Sequence, residues 1–362
     1  MIKNKNNYVA IMAGGIGSRF WPVSRVDLPK QFLDILNTGK TLIQSTFERF
    51  AQYIPIENIY IVTSYQYKDI TRKQLPNLPE ENIVCEPSRK NTAPCIAYIS
   101  YKIQQLNENA NLICAPADHL ILDDVAFIKT SIEALLFTEK NNALLTLGIK
   151  PFQPNTGYGY IQYEQQAVSD NIFKVKTFTE KPDLELAKTF IASGDFLWNA
   201  GIFVWKTKSI ISAFEKYLPE MHELFDGAKQ AMNTELEKEA IEVIYPLCVS
   251  ISIDYGILEK ADNVYVIPSS FGWSDLGTWG SAYENLEKDY HENAVAGENI
   301  ILFESSKNIV HTSGDKLTLL QGLDDFIVVD TRDALLVCKK EKEQNIKEYL
   351  AEIRRSKGDK YL

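Results

Sequence analysis

Short apolar runs alternate with longer amphipathic stretches throughout the first half of this 362-residue chain. The runs have the length of buried strands, and the stretches between them have the apolar spacing of helices. Such an alternation predicts right-handed crossovers and a mostly parallel sheet with helices on both faces. The strands are expected at residues 8–12, 59–63, 83–86, 111–115 and 143–149, and the helices at 41–53, 65–75, 92–106 and 124–141.

The pattern changes twice in the second half. Strands without long helices between them predict antiparallel pairs that extend the sheet; they lie at 158–163, 172–179 and 200–206. Helices return at 184–193, 207–217 and 234–245. Further on, short strands separated by Gly, Ser and Asp precede a charged helix; they lie at 299–304, 308–311, 317–321, 326–330 and 334–338, and the helix at 341–357. We therefore predict a large domain at 1–288 and a small β module at 289–362.

A glycine-rich loop follows the first predicted strand and reads AGGIGSRFWPVSRVDLPKQ over residues 13–31. Its glycines and its two candidate phosphate-binding cations are Gly14, Gly15, Gly17, Arg19 and Lys30. Glycines let the backbone turn sharply and bring N–H groups close to an anion, and the cations can neutralise the charge of a phosphate. The loop is therefore predicted to bind a polyphosphate.

Two common phosphate motifs do not fit this loop. A P-loop requires Lys followed by Ser or Thr after its glycines, but here Ser18 and then Arg19-Phe-Trp follow the last glycine, Gly17. A dinucleotide fingerprint requires a third glycine and an immediate helix, whereas Pro22 and Pro29 disfavour a continuous helix. The loop is predicted to be long and irregular.

The form GGxGxRxxPxSR followed by LPKQF resembles the signature of the sugar-nucleotidyltransferases, specifically the mannose-1-phosphate guanylyltransferase family. Leu28 departs from the usual pattern, but Lys30 is present. The resemblance recurs in one order along nearly the whole chain, at EPSRKNTAP (86–94), APADH (115–119), GYGYI (157–161), TEKP (179–182), WNAGI (198–202), SID (252–254) and GWSDLG (272–277). It implies an α/β fold with a Rossmann-like mixed, mostly parallel sheet flanked by helices, and a C-terminal β-helix-like module.

The resemblance implies transfer of GMP from GTP to α-D-mannose 1-phosphate, with Mg²⁺ as cofactor. Asp118 follows a predicted strand at its C-terminal end, where ligands bind in such sheets. A carboxylate there would repel a phosphate unless a cation intervened, and the resemblance assigns Mg²⁺ to Asp118 and Asp275. His119 is expected to pack or hydrogen-bond locally, because a sugar phosphate is already an anion and needs no general base.

The resemblance also assigns residues to the sugar and the base. Lys181 would hold the sugar phosphate as a catalytic cation, and Glu180 would accept hydrogen bonds from sugar hydroxyls. The remaining expected substrate contacts are Gly157, Asn199 and Gly201 for the sugar, and Asn91 and Thr92 for the purine. Asp254 fits either a hexose hydroxyl or a helix cap. The residues give no independent reason for guanine over another base.

Composition limits the other function classes. A net charge of −10 argues against a nucleic-acid partner. The N-terminus lacks a signal-peptide pattern and no apolar run reaches about 18 residues, so no membrane contact is predicted. Five cysteines without a C-x-x-C pair are typical of reduced thiols in a cytoplasmic protein. The chain leaves no room for the isomerase domain fused in longer bacterial relatives, so one activity is expected.

Two alternatives stay open at this stage. One is a pyrophosphorylase for another hexose 1-phosphate or another nucleotide, such as UTP or dTTP. The other is a non-catalytic regulatory subunit that binds a sugar nucleotide, although such a protein would be expected to lose a phosphate cation or a metal carboxylate. The sequence leaves homodimer formation undecided.

Overall fold

The computed structural model describes residues 3–362 and divides them into two compact units. The first unit comprises the described residues up to Gly14, together with Thr46–Ala117 and Ile121–Trp273. The second unit comprises Gly15–Ser45, Asp118–Leu120 and Ser274–Leu362. These units are defined by packing and combine separate segments of the chain, whereas the predicted domain boundary after residue 288 is a single point in the sequence. That boundary stays a prediction.

The strands, in chain order, are β1 Asn7–Met12, β2 Ile59–Ser64, β3 Ile83–Glu86, β4 Asn111–Pro116, β5 Leu120–Ile121, β6 Leu144–Ile149, β7 Gly159–Ser169, β8 Ile172–Glu180, β9 Phe196–Lys206, β10 Val264–Ser269, β11 Trp273–Ser274, β12 Ala294–Ala296, β13 Ile300–Phe303, β14 Ile309–Thr312, β15 Thr318–Gln321, β16 Phe326–Asp330 and β17 Leu335–Lys339. The α-helices are α1 Leu42–Ala51, α2 Lys68–Gln74, α3 Thr92–Leu106, α4 Asp124–Lys140, α5 Leu184–Ser193, α6 Thr207–Tyr217, α7 Pro219–Ala228, α8 Glu237–Ile244, α9 Trp279–Asn285 and α10 Ile346–Lys357.

The first unit is built on a nine-stranded sheet in the order β3-β2-β1-β4-β9-β6-β10-β8-β7. Its first four strands pair in parallel, as the alternation of apolar runs predicted. Val9, Ala10 and Ile11 of β1 are fully buried, as expected for a strand that is covered on both faces. All five strands and four helices expected in the first half are present, although α2 is preceded by a 3₁₀ turn at Tyr65–Tyr67.

The antiparallel pairing predicted for the middle of the chain is confirmed, and it accounts for more of the sheet than expected. β9 is antiparallel to β4, β6 and β7, and it lies inside the sheet rather than extending one edge. Its successive residues Phe203, Val204 and Trp205 are all buried. Successive strand residues point to opposite faces, so this strand is apolar on both faces and needs a neighbour on each side.

Two elements of the first unit, β10 and α7, were not predicted from the sequence. β10 lies between β6 and β8 and contains Pro268, a residue that argues against a central strand. α7 begins with a proline and buries only Met221 and Phe225, one turn apart. The helix expected at 234–245 is shorter, at Glu237–Ile244.

The second unit contains the C-terminal strands in two small sheets. β12, β14 and β16 stack in parallel with β17 antiparallel at the end, and β13 pairs in parallel with β15. Parallel stacking of successive short strands is the arrangement of a β-helix. Trp279, Ile309, Ile327 and Ile346 belong to the buried core of this unit. The charged helix expected at 341–357 begins as a 3₁₀ helix and becomes α10 at Ile346.

Within residues 3–362, none of the helices combines the length and the apolar character that a membrane crossing requires. The five cysteines are free thiols.

Candidate active site

The glycine loop leaves β1 and has one position that only glycine can occupy. Gly17 has a φ of 69°, and a Cβ atom there would collide with the Cβ atom of Lys30. Two side chains fix the loop backbone: the Ser24 hydroxyl donates to the Ile16 carbonyl at 2.6 Å, and the Gln31 amide donates to the Gly15 carbonyl at 3.0 Å. Gly15 is exposed, and a side chain there would meet open space.

Lys30 is buried, and its ammonium group contacts other residues of the second unit. Its Nζ forms an ion pair with Asp118 Oδ2 at 2.9 Å and donates to the carbonyls of Asp275 at 2.9 Å and Leu276 at 2.8 Å. An ammonium group has three N–H donors, so these contacts account for all of them. Lys30 therefore joins the Asp118 carboxylate to the main chain that carries Asp275.

The carboxylates of Asp118 and Asp275 provide the oxygen donors that Mg²⁺ prefers. Burial alone would raise the pKa of Asp118, but the charges of Lys30 and His119 hold it below its usual range. Asp275 Oδ1 accepts from the Gly277 amide at 3.0 Å. The described residues contain no group of three or more His, Cys, Asp or Glu side chains placed so that together they could hold a metal ion. Two carboxylates nevertheless suit a Mg²⁺ ion whose other ligands are phosphate oxygens and water.

Arg19 lies in a 3₁₀ turn, Ser18–Phe20, directly after Gly17. Its Nε is buried without a hydrogen-bond partner, and it forms no ion pair with an acid among residues 3–362. A buried donor of this kind usually has a partner in the complete functional state. Arg19 therefore has an unpartnered hydrogen-bond donor, its Nε, at the glycine loop.

The expected sugar-phosphate cation lies in the first unit beside an acid. Lys181 has a φ of 48°, uncommon for a residue other than glycine, and its amide donates to the Tyr158 carbonyl at 3.2 Å. Its side chain is 59% exposed and forms an ion pair with Glu180, whose side chain is only 9% exposed. The ammonium group can thus reach a ligand, while the carboxylate is fixed.

Asn199 is at the centre of a hydrogen-bond network in the same unit. Its Oδ1 accepts from the Thr146 hydroxyl at 2.9 Å and from the Gly201 amide at 3.1 Å, and its Nδ2 donates to Asp254 Oδ1 at 2.9 Å. Burial raises the pKa of Asp254 to about 6, and the nearby Glu180 charge adds to that shift. Ile253, not Asp254, occupies the position before the π-helical turn Asp254–Leu258. Asp254 thus supports Asn199.

The other expected substrate contacts have local structural partners. Gly157 donates its amide to Asn155 Oδ1 at 2.8 Å in a turn. Asn91, with a φ of 69°, caps α3 by accepting from the Thr92 amide at 2.8 Å. The Thr92 hydroxyl accepts from the Ile253 amide at 2.9 Å. Their contacts with sugar or purine stay predictions.

Glu86 is a candidate that the sequence patterns did not single out. It ends β3, is 8% exposed, and accepts a hydrogen bond from the Tyr245 hydroxyl at Oε1. Its Oε2 faces Gly14, because a Cβ atom on that glycine would lie 3.4 Å away. Burial raises the pKa of Glu86 to about 7, although Tyr245 and Arg89 oppose the shift. The signal that could have revealed it is an acid that ends an otherwise apolar run.

Comparison with known families assigns both parts of the chain. Residues 8–292 match the nucleotidyl transferase family. Residues 298–353 match a family described as a MannoseP isomerase/GMP-like beta-helix domain. The second match agrees with the parallel stacking of β12, β14 and β16 and confirms the predicted β-helix-like module.

Curated relatives and a solved structure agree with these families. The chain is 33% identical over 359 residues to a mannose-1-phosphate guanylyltransferase of Salmonella muenchen, covering 97% of this chain and 75% of the relative. It is 35% identical to the enzyme of that name from Salmonella montevideo, covering 95% and 73%. The crystal structure of mannose-1-phosphate geranyltransferase from Thermus thermophilus superposes with a TM-score of 0.86 at 30% identity, covering 96% and 99%. The chain therefore belongs to the nucleotidyl transferase family, is a nucleotidyltransferase, and has mannose-1-phosphate guanylyltransferases among its homologues.

Proposed function

We propose that this enzyme transfers GMP from GTP to α-D-mannose 1-phosphate and releases pyrophosphate. The observation that carries the proposal is the Lys30–Asp118 ion pair fixed to the Asp275 main chain at the glycine loop. It supports phosphoryl chemistry, since it combines a cation, two carboxylates and a loop of backbone N–H groups. The names of the relatives support the choice of GTP and mannose 1-phosphate.

In the proposed reaction, a phosphate oxygen of mannose 1-phosphate forms a bond to the α-phosphorus of GTP. The bond between that phosphorus and the bridging oxygen to the β-phosphate breaks, and pyrophosphate leaves with the electron pair. No proton transfer is required, because the attacking phosphate is already an anion. The residues need only align the reactants and neutralise their charge.

The residues of the second unit would serve the nucleotide phosphates. The loop glycines Gly15 and Gly17 leave the backbone accessible, and Arg19 would bind the departing pyrophosphate with its vacant donor. Lys30 would act through its charge and by holding Asp118, since its three donors are already used. Asp118 and Asp275 would hold Mg²⁺, which when bound supplies positive charge that neutralises phosphate oxygens.

The residues of the first unit would serve the sugar phosphate. Lys181 would release Glu180 and bind the phosphate of mannose 1-phosphate, because its side chain is largely exposed. Glu180 would then accept hydrogen bonds from sugar hydroxyls. Asn199, oriented by Asp254, and the main chain at Gly157 and Gly201 would lie against the hexose.

Glu86 offers a physical reason for guanine, with Gly14, Asn91 and Thr92 as further proposed contacts of the nucleoside. Guanine presents two adjacent donors, the N1 hydrogen and the 2-amino group, and a carboxylate can accept both. Adenine presents an acceptor at N1, and uracil and thymine flank their one N–H donor with carbonyl oxygens. The Oε2 atom of Glu86 lies beside Gly14, which is consistent with such a contact.

A panel of nucleotides tests this proposal. Pyrophosphate release is measured with Mg²⁺ and mannose 1-phosphate, in parallel with GTP, UTP, ATP and dTTP, and then with glucose 1-phosphate in place of the mannose compound. We expect release with GTP and mannose 1-phosphate well above every other combination. Higher release with another pair would keep the chemistry and replace the substrate. Folded protein that releases pyrophosphate with no combination would favour the regulatory alternative.

A further inference from the structure

The cations at the glycine loop differ in how far they are already neutralised. Lys30 is buried, and its three N–H donors contact Asp118 and two carbonyl oxygens. Arg19 keeps an unpartnered Nε. A departing pyrophosphate carries several negative charges, and one guanidinium group neutralises only part of them. Such a ligand therefore calls for another cation beside Arg19.

The C-terminal helix α10 brings a lysine to this place. Ile346, Leu350 and Ile353 recur at helical spacing and pack into the core of the second unit, and Ile346 is fully buried. The helix that this stripe anchors contacts the Ser18–Phe20 turn of the glycine loop. Lys347 follows the buried Ile346 directly, so its position along the helix is set by that anchor.

Lys347 is exposed and has no acidic partner within the described part of the chain. It lines a cavity of about 260 Å³ together with Ser18, which precedes Arg19. The charge of Arg19 is the main cause of a lowered pKa of Lys347, with burial second. Burial raises the pKa of Glu343, the charge of Arg19 opposes that shift in part, and the carboxylate accepts from the Gly280 amide at 2.7 Å. Two like charges, those of Arg19 and Lys347, thus repel each other beside the glycine loop, at an energetic cost that a bound anion would relieve.

We propose that Lys347 is a further pyrophosphate-binding residue of this enzyme and that it acts together with Arg19. Its ligand is the β- and γ-phosphates of the nucleotide, which leave as pyrophosphate. The inference rests on the proposed function for the identity of this anion. It gives the C-terminal module a direct part in substrate binding.

Titration calorimetry with inorganic pyrophosphate and Mg²⁺ tests this inference without any base or sugar. Lys347→Ala is expected to weaken binding about 10-fold, the loss of one charge-assisted contact of roughly 1.4 kcal/mol. Lys347→Arg should restore most of the affinity. Lys357→Ala is the matched control, because it removes the same charge from the exposed end of the same helix. It should leave binding unchanged.

Each result bears on a different claim. Equal binding by the wild type and the Lys347→Ala variant, or equal weakening in the Lys347 and Lys357 variants, would overturn the inference alone. A wild-type protein that binds no pyrophosphate would overturn the proposed function and the inference together. In the reverse reaction, Lys347→Ala should raise KM for pyrophosphate about 10-fold and leave KM for GDP-mannose unchanged. Thermal unfolding of both variants at the wild-type temperature confirms that the fold is intact.

Discussion

At the scale of single residues, Lys30 is the cation that we propose serves the site without touching the ligand. Its ammonium group is consumed by Asp118 and by the carbonyls of Asp275 and Leu276. An isolated buried charge is costly, and these contacts compensate for the burial of the Lys30 ammonium group. The same contacts orient the carboxylate of Asp118, the side chain proposed to hold Mg²⁺.

Replacing Asp118 tests that assignment. Asp118→Asn keeps an oxygen acceptor for Lys30 but removes the negative charge that a metal requires, so we expect kcat to fall about 100-fold or more with the fold intact. Asp333→Asn is the control, because Asp333 is also paired to a cation, Arg25, in the same unit. Steady-state turnover at saturating Mg²⁺ is the measurement. Turnover within about threefold of the wild type would remove Asp118 from the mechanism.

Glu86 leads to a prediction about pH. Its pKa of about 7 exceeds that of an unfolded glutamate, so between pH 4.5 and 7 the folded state binds a proton that the unfolded state does not. The contribution of Glu86 to the free energy of unfolding should therefore be fully present below pH 4.5 and be lost as the pH rises through 7, a loss of roughly 3 kcal/mol. Glu86→Gln should remove this part of the pH dependence in urea unfolding and reduce the preference for GTP over ATP. Unfolding free energies that run parallel in the two proteins from about pH 5 to 8 would contradict the assignment.

At the scale of elements, the sequence predicted most strands and helices because their apolar spacing is regular. β1 to β4 and α1 to α4 lie where the alternating runs placed them. β10 was not predicted because it contains Pro268, a residue that is unusual in a central strand. The position of β9 in the middle of the sheet was not predicted either, because it depends on neighbouring strands on both sides, which only the structure shows. In both strands, packing against the rest of the sheet outweighed the local sequence preference.

The candidate site was predictable in its charges but not in its contacts. The loop pattern and resemblance identified Lys30 and Asp118, yet no spacing indicates that Lys30 would spend its donors on carbonyl oxygens at 275 and 276. Asn91 was expected as a purine contact, and only the structure reveals that it also caps α3. Glu86 was predicted only as a strand residue, because its hydrogen-bond partner Tyr245 lies 159 positions away in the sequence.

At the scale of the whole molecule, the chain carries a net charge of −10 and yet is proposed to bind two phosphorylated substrates. The cations concerned are concentrated locally: Arg19, Lys30 and Lys347 in the second unit, and Lys181 in the first. Local clusters overcome the repulsion of an acidic surface for a phosphate ligand. The C-terminal β-helix module contributes to this distribution through α10.

Labelled GTP reveals whether the enzyme transfers the nucleotidyl group at the α-phosphorus. Two parallel reactions with mannose 1-phosphate and Mg²⁺ contain GTP labelled with ³²P at either the α- or the γ-phosphate, and the products are separated by chromatography. We expect α-label in a nucleotide sugar and γ-label in pyrophosphate, with both products absent when mannose 1-phosphate is omitted. Transfer of γ-label to the sugar phosphate, or its release as inorganic phosphate without a nucleotide sugar, would rule out nucleotidyl transfer.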